Sequence, residues 1–532
     1  MARPSLRTPS RLDLMFVLPA LLAGAALLVC VRAFVTDDAA ITLRYALALA
    51  EGHGLRWNAN VEHPVEGYSN FSHVLLGALA WKLGLPVLQL VRALNQAGAL
   101  LACVLTYALG RHAFGSRLWA GAAALLLGVH APLWYWASSG LETGVYTAAV
   151  YGALLAFVRA QPGSLWPAFA FLAAALTRFE GPVVFAACAF AAGASALWLR
   201  AWAPLSAHAR WGALFALAYG GYFAFRVIYF DHMLPNSAYY KRGEPLDPLL
   251  LRQFGEQCWP LLALAIAARY AQLGRLGVAL LLLIALHALG FLGVAPSVAY
   301  FHRFFLPVLP ALALLAASAL QRFWDAGAQD ARARWPRALG RGLALAVLGA
   351  CLALDVLHPD SGVRAVSAAV DALNSRMVAR AEVAAFVAER FDARATVALE
   401  DVGVVGYALP NPVLDLLGLN DERYVHAMAR ERAAQAVAVL DRQPEVIALA
   451  SKRSDAFVPS YHPGDLLSRL PSFRRRYAHA HTASAPLDRY HVFVFVRSYA
   501  PPAPSPRPIA FNPTPSLARA IDDLARTIRT TR

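Results

Sequence analysis

Charged residues are scarce in this sequence: Asp, Glu, Lys and Arg make up 15% of 532 residues, against 58% hydrophobic residues and a mean hydropathy of +0.47. A water-soluble fold of this length does not carry so much apolar surface, so lipid must be its main solvent. Cysteine is rare too. Cys30, Cys103, Cys188, Cys258 and Cys351 fall inside or at the edges of apolar runs, never in the hydrophilic C-terminal region, and read as small core residues, not disulfide partners or zinc ligands. The absence of a P-loop, a dinucleotide fingerprint and an internal repeat argues against a nucleotide-driven transporter. Basic residues outnumber acidic ones, 48 to 33, but no RNP, zinc-finger or basic-zipper pattern accompanies them, so no nucleic-acid partner is expected.

What is present is apolar sequence in long runs. A bilayer core of about 30 Å takes roughly 20 residues per helix, and eleven runs occur, near 14–34, 90–110, 118–137, 142–158, 164–177, 182–199, 211–230, 258–270, 276–294, 304–321 and 342–357. The first is too long for a signal-peptide core and lacks a small-residue cleavage site, so it stays as an anchor. Orientation follows from arginine in the short loops. Arg3, Arg7 and Arg11 precede the first run; Arg111 with Arg117, Arg159, Arg200 with Arg210, Arg269 with Arg275, and Arg322, Arg332, Arg334, Arg337 and Arg341 fill every second loop after it. Those loops are expected in the cytoplasm with the N-terminus. Segments 35–89, 138–141, 178–181, 231–257 and 295–303 then face outward, with everything after about 358. Residues 71–84 are apolar but short, and are expected to lie as a helix at the outer interface.

Beyond residue 360 the texture changes to that of a water-soluble domain. Val363–Phe391 and Met428–Leu440 have helical patterns, while Thr396–Leu399, Val446–Leu449 and His491–Val496 read as strands. The expected architecture is an α-helical polytopic membrane domain over 1–357 whose first outer loop, 35–89, carries the chemistry. A small α/β extracytoplasmic domain over 358–500 and a proline-rich, disordered tail over 501–532 follow.

Candidate chemistry gathers in the outward segments. Asp37 and Asp38 stand directly after the first run, where carboxylates are costly to desolvate and need a purpose. One of them could act as general base on an acceptor hydroxyl; the bland alternative is helix capping by Thr36 or Asp37, which explains one acid well and two poorly. Arg44, Trp57, Asn58, Glu66, Tyr68 and Asn70 follow in the same loop and supply the stacking faces and polar donors that sugars need. Glu142 stands at the start of a span, and Arg178 with Glu180 forms a candidate ion pair. Asn236 and Tyr240 precede Lys241 and Arg242, adjacent cations on the side where few are expected, and His302–Arg303 repeats that pattern. Such cations suit a lipid phosphate; snorkelling to headgroups is the alternative. No metal-ligand spacing is convincing, although the paired aspartates could hold a divalent cation with water and phosphate oxygens.

In this order these residues resemble the GT-C glycosyltransferases, and within them the AftB-type arabinofuranosyltransferases and their bacterial relatives. The matching stretches are Asp37–Ala46, Glu51–Asn58, Val65–Asn70, Ser139–Thr143, Thr177–Gly181, Leu234–Lys241, Arg303–Pro310 and Asp415–Asp421. The resemblance implies a polyprenyl-phosphate sugar as donor, with arabinofuranose as the sugar and an envelope glycan or glycoprotein as acceptor, at the outer face of a bacterial cytoplasmic (inner) membrane. It also implies that Asp37 is the essential first-loop acid with Asp38 its partner, and that Lys241 and Arg303 serve the carrier phosphate. Ala40, Ser69–Asn70–Phe71 and Phe179 depart from the pattern and leave the sugar and acceptor open. The rival readings are a transporter or flippase of lipid-linked sugars, which usually has two-fold repeats and no large soluble domain, and another envelope-lipid transferase, whose signatures are absent.

Overall fold

In the computed structural model, which describes residues 11–59, 61, 63–161, 163–198, 203–241, 248–292, 294, 300–326, 334–421, 432–485 and 487–498, each of the eleven apolar runs falls on helix. The chain begins with α1 (Arg11–Val31), α2 (Asp37–Ala50), α3 (Phe71–Lys82), α4 (Val87–Phe114), α5 (Arg117–Gly128) and α6 (Ala131–Ser138). It continues through α7 (Thr143–Arg159), α8 (Trp166–Thr177), α9 (Pro182–Trp198), α10 (Ala203–Phe230), α11 (Asn236–Lys241) and α12 (Leu249–Ile266). After the short α13 (Tyr270–Leu273) come α14 (Arg275–Gly290), α15 (Leu309–Ala326) and α16 (Arg334–Leu357). Among the described residues five helices, α1, α4, α10, α15 and α16, are long and apolar enough to cross a membrane, and α5 with α6, bent by 57°, makes a sixth if counted as one span. The chain is thus a multi-pass membrane protein. α7, α8, α9 and α14 are apolar but shorter, so length and composition alone do not reach the expected eleven. The expected interfacial segment is α3, whose Leu75, Leu76 and Leu79 stay exposed.

Local chemistry sets the helix ends. Gly115 adopts φ +67 and closes α4 with its N–H on Arg111 O, and the Ser116 side chain then accepts from Trp119 N–H to cap α5. α4 and α7 approach closely because both are glycine at the crossing: a Cβ on Gly98 would stand 2.5 Å from Val145 N, and one on Gly144 2.2 Å from Asn95 O. Buried Asn95 makes the contact polar as well. Its Oδ1 accepts from the N–H groups of Gly144 and Val145 at the start of α7, and its Nδ2 donates to Trp136 O at 3.0 Å and Ala137 O at 2.9 Å at the end of α6. All five cysteines are free; four are buried as expected, whereas Cys30 is exposed on α1.

The long α17 (Val363–Arg390) leads into the C-terminal domain, where α18 (Gly403–Ala408) lies between the first two strands of a five-stranded sheet. The strands β1 (Val397–Leu399), β2 (Val413–Asp415), β3 (Val446–Ser451), β4 (Tyr477–Ser484) and β5 (His491–Arg497) stand in the order β2-β1-β3-β5-β4. β2, β1 and β3 are parallel, with Ala398 between Leu414 and Ile447; β5 and β4 are antiparallel. β1, β3 and β5 match the expected strands. β2 and β4 were not expected, because Val-Leu-Asp is only three residues long and the Ala-His alternation of β4 is poor in β-branched side chains. Helices Arg432–Asp441, His462–Arg469 and Pro471–Arg476 complete the domain; part of the expected helix from Met428, and the expected disordered tail from 501, lie outside the described residues.

Two predictions follow from packing and burial. Gly144→Val places methyl groups against the Asn95 backbone and should cost about 1–3 kcal/mol by overpacking, read as a lower melting temperature of the purified protein in detergent. Glu400 is buried and, among the described residues, has no cation beside it; it accepts the N–H groups of Ala450 (2.7 Å) and Gly464 (2.8 Å), and burial pushes its carboxyl from 4.5 up to about 8. A raised carboxyl favours the folded state most at low pH and loses that contribution as pH rises from about 4.5 through about 8. Glu400→Gln lacks this dependence, so the melting-temperature difference, wild type minus variant, should fall across that window.

Candidate active site

The two ends of the bundle gather different residues. At one end Asp13, in the first turn of α1, takes Arg111 and Arg117, both at 3.1 Å; Gln272 donates to Ala113 O, and Arg269 pairs with Asp325 at 2.6 Å. The start of α1, the arginine-bearing connections at 111–117 and 269–275 and the end of α15 therefore lie together. At the other end Thr36 N–H donates to Ser139 O at 3.0 Å, Asn236 N–H to Glu66 O at 2.9 Å, and Asn374 of α17 to Ala33 O at 3.0 Å. Segments expected on the opposite side thus meet there, under the C-terminal domain.

At this end α2 starts on the paired aspartates, and successive residues of a helix point about 100° apart, so the two side chains diverge. Asp37 turns into the C-terminal domain, where it accepts the N–H groups of Gly403 (3.0 Å) and Val404 (2.8 Å) at the start of α18 and lies 3.7 Å from Arg380. Burial raises its carboxyl above the ordinary value; Arg380 and the Val404 N–H oppose that rise, and Asp401 adds to it. Asp38 faces the bundle, pairs with Arg303 at 2.6 Å, and keeps its side chain 43% exposed against 14% for Asp37. Thr36 occupies the N-cap position without a side-chain capping bond, and both acids stand in the first turn of α2, where a helix N-terminus favours negative charge. The carboxylates point to different partners, so they do not converge on one cation, and among the described residues no group of three His, Cys, Asp or Glu is arranged to hold a metal ion.

A chain of buried charge lies behind this pair. The Arg303 guanidinium sits 4.9 Å over the Trp136 ring and 5.5 Å over Phe304. The turn before it takes positive φ at Phe301 (49°) and His302 (55°), a conformation that side chains other than glycine adopt at a cost. Glu142, at the N-cap position of α7, makes no cap; it accepts from Asn70 Nδ2 at 2.6 Å and pairs with Arg178, which also pairs with Glu180. Thr42 on α2 donates to Asn70 Oδ1 at 3.1 Å, so three outward segments share one polar chain. His302 is buried, its ring 5.8 Å from that of His130, whose Nδ1 lies 2.8 Å from Asp355 on α16.

The remaining expected residues knit the first loop together. Arg44 is buried and donates to the carbonyls of Trp57, Gly406, Leu409 and Asn411 and to Asn58 Oδ1, with its guanidinium 4.6 Å over the Trp57 ring. Asn58 pairs with both backbone groups of Val413, at 2.9 and 3.0 Å. Glu66 is buried in an ion pair with Arg226 of α10, and Tyr68 is buried against Tyr45 and Phe230. Tyr240 and Lys241 end α11, but their side chains, and Arg242 altogether, lie outside the described residues. The sequence analysis did not single out Arg226, Arg380, Asp401 or Tyr490; Arg226 is a charge inside the apolar run 211–230 and was legible on that ground, whereas the other three sit in ordinary helix or turn sequence. Arg380 donates to Tyr490 OH at 3.2 Å and pairs with Asp401 at 3.1 Å, and Asp401 also accepts from Tyr490 and Tyr461.

Residues 370–495, from within α17 to β5, match the model of a domain of unknown function, DUF8728. No curated protein matches the sequence. Among solved structures, ArnT from Cupriavidus metallidurans bound to undecaprenyl phosphate aligns at 16% identity with a TM-score of 0.51, over 91% of this chain and 97% of that one. The oligosaccharyltransferase of Archaeoglobus fulgidus in the apo form aligns at 13% identity with a TM-score of 0.53, over 91% and 74%. Archaeal AglB from the same organism, in complex with an inhibitory peptide and a dolichol-phosphate, gives 13% and 0.52, over 92% and 74%. At such identity the similarity is one of fold. That similarity extends over bundle and C-terminal domain together.

Arg178→Met would leave Glu142 and Glu180 buried without their shared cation, and the loss of one partner from such a group costs about 3–5 kcal/mol. Denaturant unfolding of the purified protein should show a midpoint lowered accordingly.

Proposed function

We propose that the protein transfers a sugar from a polyprenyl-phosphate donor to an envelope glycan or protein acceptor, at the end of the bundle where Asp38 meets Arg303. The observation that carries this reading is that ion pair, its Asp38 side open and its Arg303 side buried, at the rim of a buried charged chain on a GT-C-like fold. A donor lipid laid between the spans brings its phosphate to Arg303, with Lys241, Arg242 and His302 as further candidate partners from the same side. The undecaprenyl phosphate of ArnT and the dolichol-phosphate of AglB support this class of carrier.

The chemistry then has distinct parts. The acceptor hydroxyl oxygen bonds to the anomeric carbon while the bond from that carbon to the phosphate oxygen breaks, and its electron pair stays on the lipid phosphate. Arg303 offsets that charge. The hydroxyl proton passes to a carboxylate, and Asp38 is the more exposed of the two acids; the duty expected of Asp37 moves to its neighbour because Asp37 already holds two N–H groups and faces Arg380. Asn70, Glu142, Arg178, Glu180, Asn236 and Tyr240 stay as candidates for orienting sugar and acceptor. Arg44, Trp57, Asn58, Glu66 and Tyr68 support the loop that carries the acids. In this reading all eleven helical runs traverse a bacterial inner membrane, with the N-terminus in the cytoplasm and the C-terminal domain outside. Arabinofuranose, from the AftB-type resemblance, is the first sugar to test.

Membranes containing the wild type should incorporate label from at least one defined radiolabelled polyprenyl-phosphate sugar, and Asp38→Asn should lower the rate by about 10²–10⁴. Equal incorporation by both would remove Asp38 from the mechanism, and none by the wild type with any such donor would remove the reaction class.

A further inference from the structure

We propose that Arg380, on α17, is a positioning residue for the transfer: through Asp37 it fixes the first turn of α2 and so sets Asp38 against Arg303. The inference rests on the reading of Asp38 as the proton acceptor. Arg380 pairs with Asp37 and Asp401 and donates to Tyr490 OH, and Asp37 is the partner that links it to the first turn of α2.

The first turn of α2 needs such a support. Its N-cap residue, Thr36, contributes no side-chain capping bond, so ordinary capping does not hold the helix start. The tethers are Thr36 N–H on Ser139 O from the bundle side and the Asp37 carboxylate on α18 from the other. α18 itself comes within reach because residue 403 is glycine: a Cβ there would lie 2.0 Å from Asp37 O. Asp37 and Asp401 are like charges, and Arg380 is the cation between them, 3.7 Å from one and 3.1 Å from the other, with the Tyr490 ring 5.0 Å beneath its guanidinium. Without it two buried carboxylates would face each other with only N–H and O–H donors, a situation in which one of them protonates or moves. Either response shifts the backbone of Asp37. Asp38 is the next residue and shares that turn, so a shift there displaces its carboxylate from Arg303. A misplacement of about 1 Å costs on the order of 10² in rate. A lysine at 380 is a point charge that cannot fork both acids, so it should support the turn only in part.

The test measures transfer by the full-length protein in membranes with a donor accepted by the wild type, for Arg380→Lys, Arg380→Gln, Asp38→Asn and Arg380→Gln combined with Asp38→Asn, with melting temperatures alongside. The expected result is a kcat about 10²-fold lower for Arg380→Gln, an intermediate kcat for Arg380→Lys, and a donor KM that stays near the wild-type value because Arg303 is untouched. In the Asp38→Asn background Arg380→Gln should lower kcat no further, since groups acting as one unit are non-additive. A wild-type kcat in a folded Arg380→Lys or Arg380→Gln protein, or the same fold-loss with and without Asp38, overturns the proposal. Failure of the wild type to transfer from any lipid-linked sugar would instead sink the functional reading on which it stands.

Discussion

The guanidinium of Arg44 is the fastening on which the rest of this arrangement depends. It is buried and makes no ion pair among the described residues; its donors go to four carbonyls and one amide, divided between the first loop and the chain around α18. A buried cation is costly unless its hydrogen-bonding capacity is filled, and here the acceptors come from residues 57, 58, 406, 409 and 411, far apart in sequence. The favourable state for this cation exists only when the C-terminal domain is seated on the loop. Everything else at that junction, from the Asp37 contact with α18 to the edge of the sheet, is placed by the same seating.

That junction gives the adjacent aspartates unlike environments. Asp37 is consumed by structure, and Asp38 stands at the rim with a cation across from it. A lone pair of acids is often read as a unit with one role. On a helix the twist between neighbours separates them, and the fold uses each for a different purpose. The separation also accounts for the nearby charge: one cation, Arg380, comes from the C-terminal domain, and the other, Arg303, comes from the bundle.

Much of this architecture is legible in sequence because hydropathy is a one-dimensional signal. The apolar runs, the helix α3, and β1, β3 and β5 are contiguous patterns and were found where they lie. The short β2 and the Ala-His strand β4 carry no such pattern, and pairing with neighbours makes them strands. In the site, Asp38, Arg303, Glu142, Arg178 and Glu180 stood out as charges beside apolar sequence, and the fold brings them together. Arg380 did not, since within the amphipathic α17 an arginine reads as a surface residue; only the arrival of Asp37 and Asp401 makes it a buried cation. Glu66 was singled out, but its pairing with Arg226 was hidden because the two stand 160 residues apart.

The pairing of Asn58 with Val413 bears on how such a chain can be assembled. β2 is an edge strand, and the amide side chain of Asn58 satisfies both the N–H and the C=O of Val413 as a neighbouring strand would. An open edge of this kind invites pairing with other chains. The stopper is supplied by a loop made some 355 residues earlier, so the sheet domain receives its finished border from a part of the protein that leaves the ribosome first. The sheet domain is thus no detachable module: exchanged between related proteins without its matching loop, it would carry a raw margin into the new molecule.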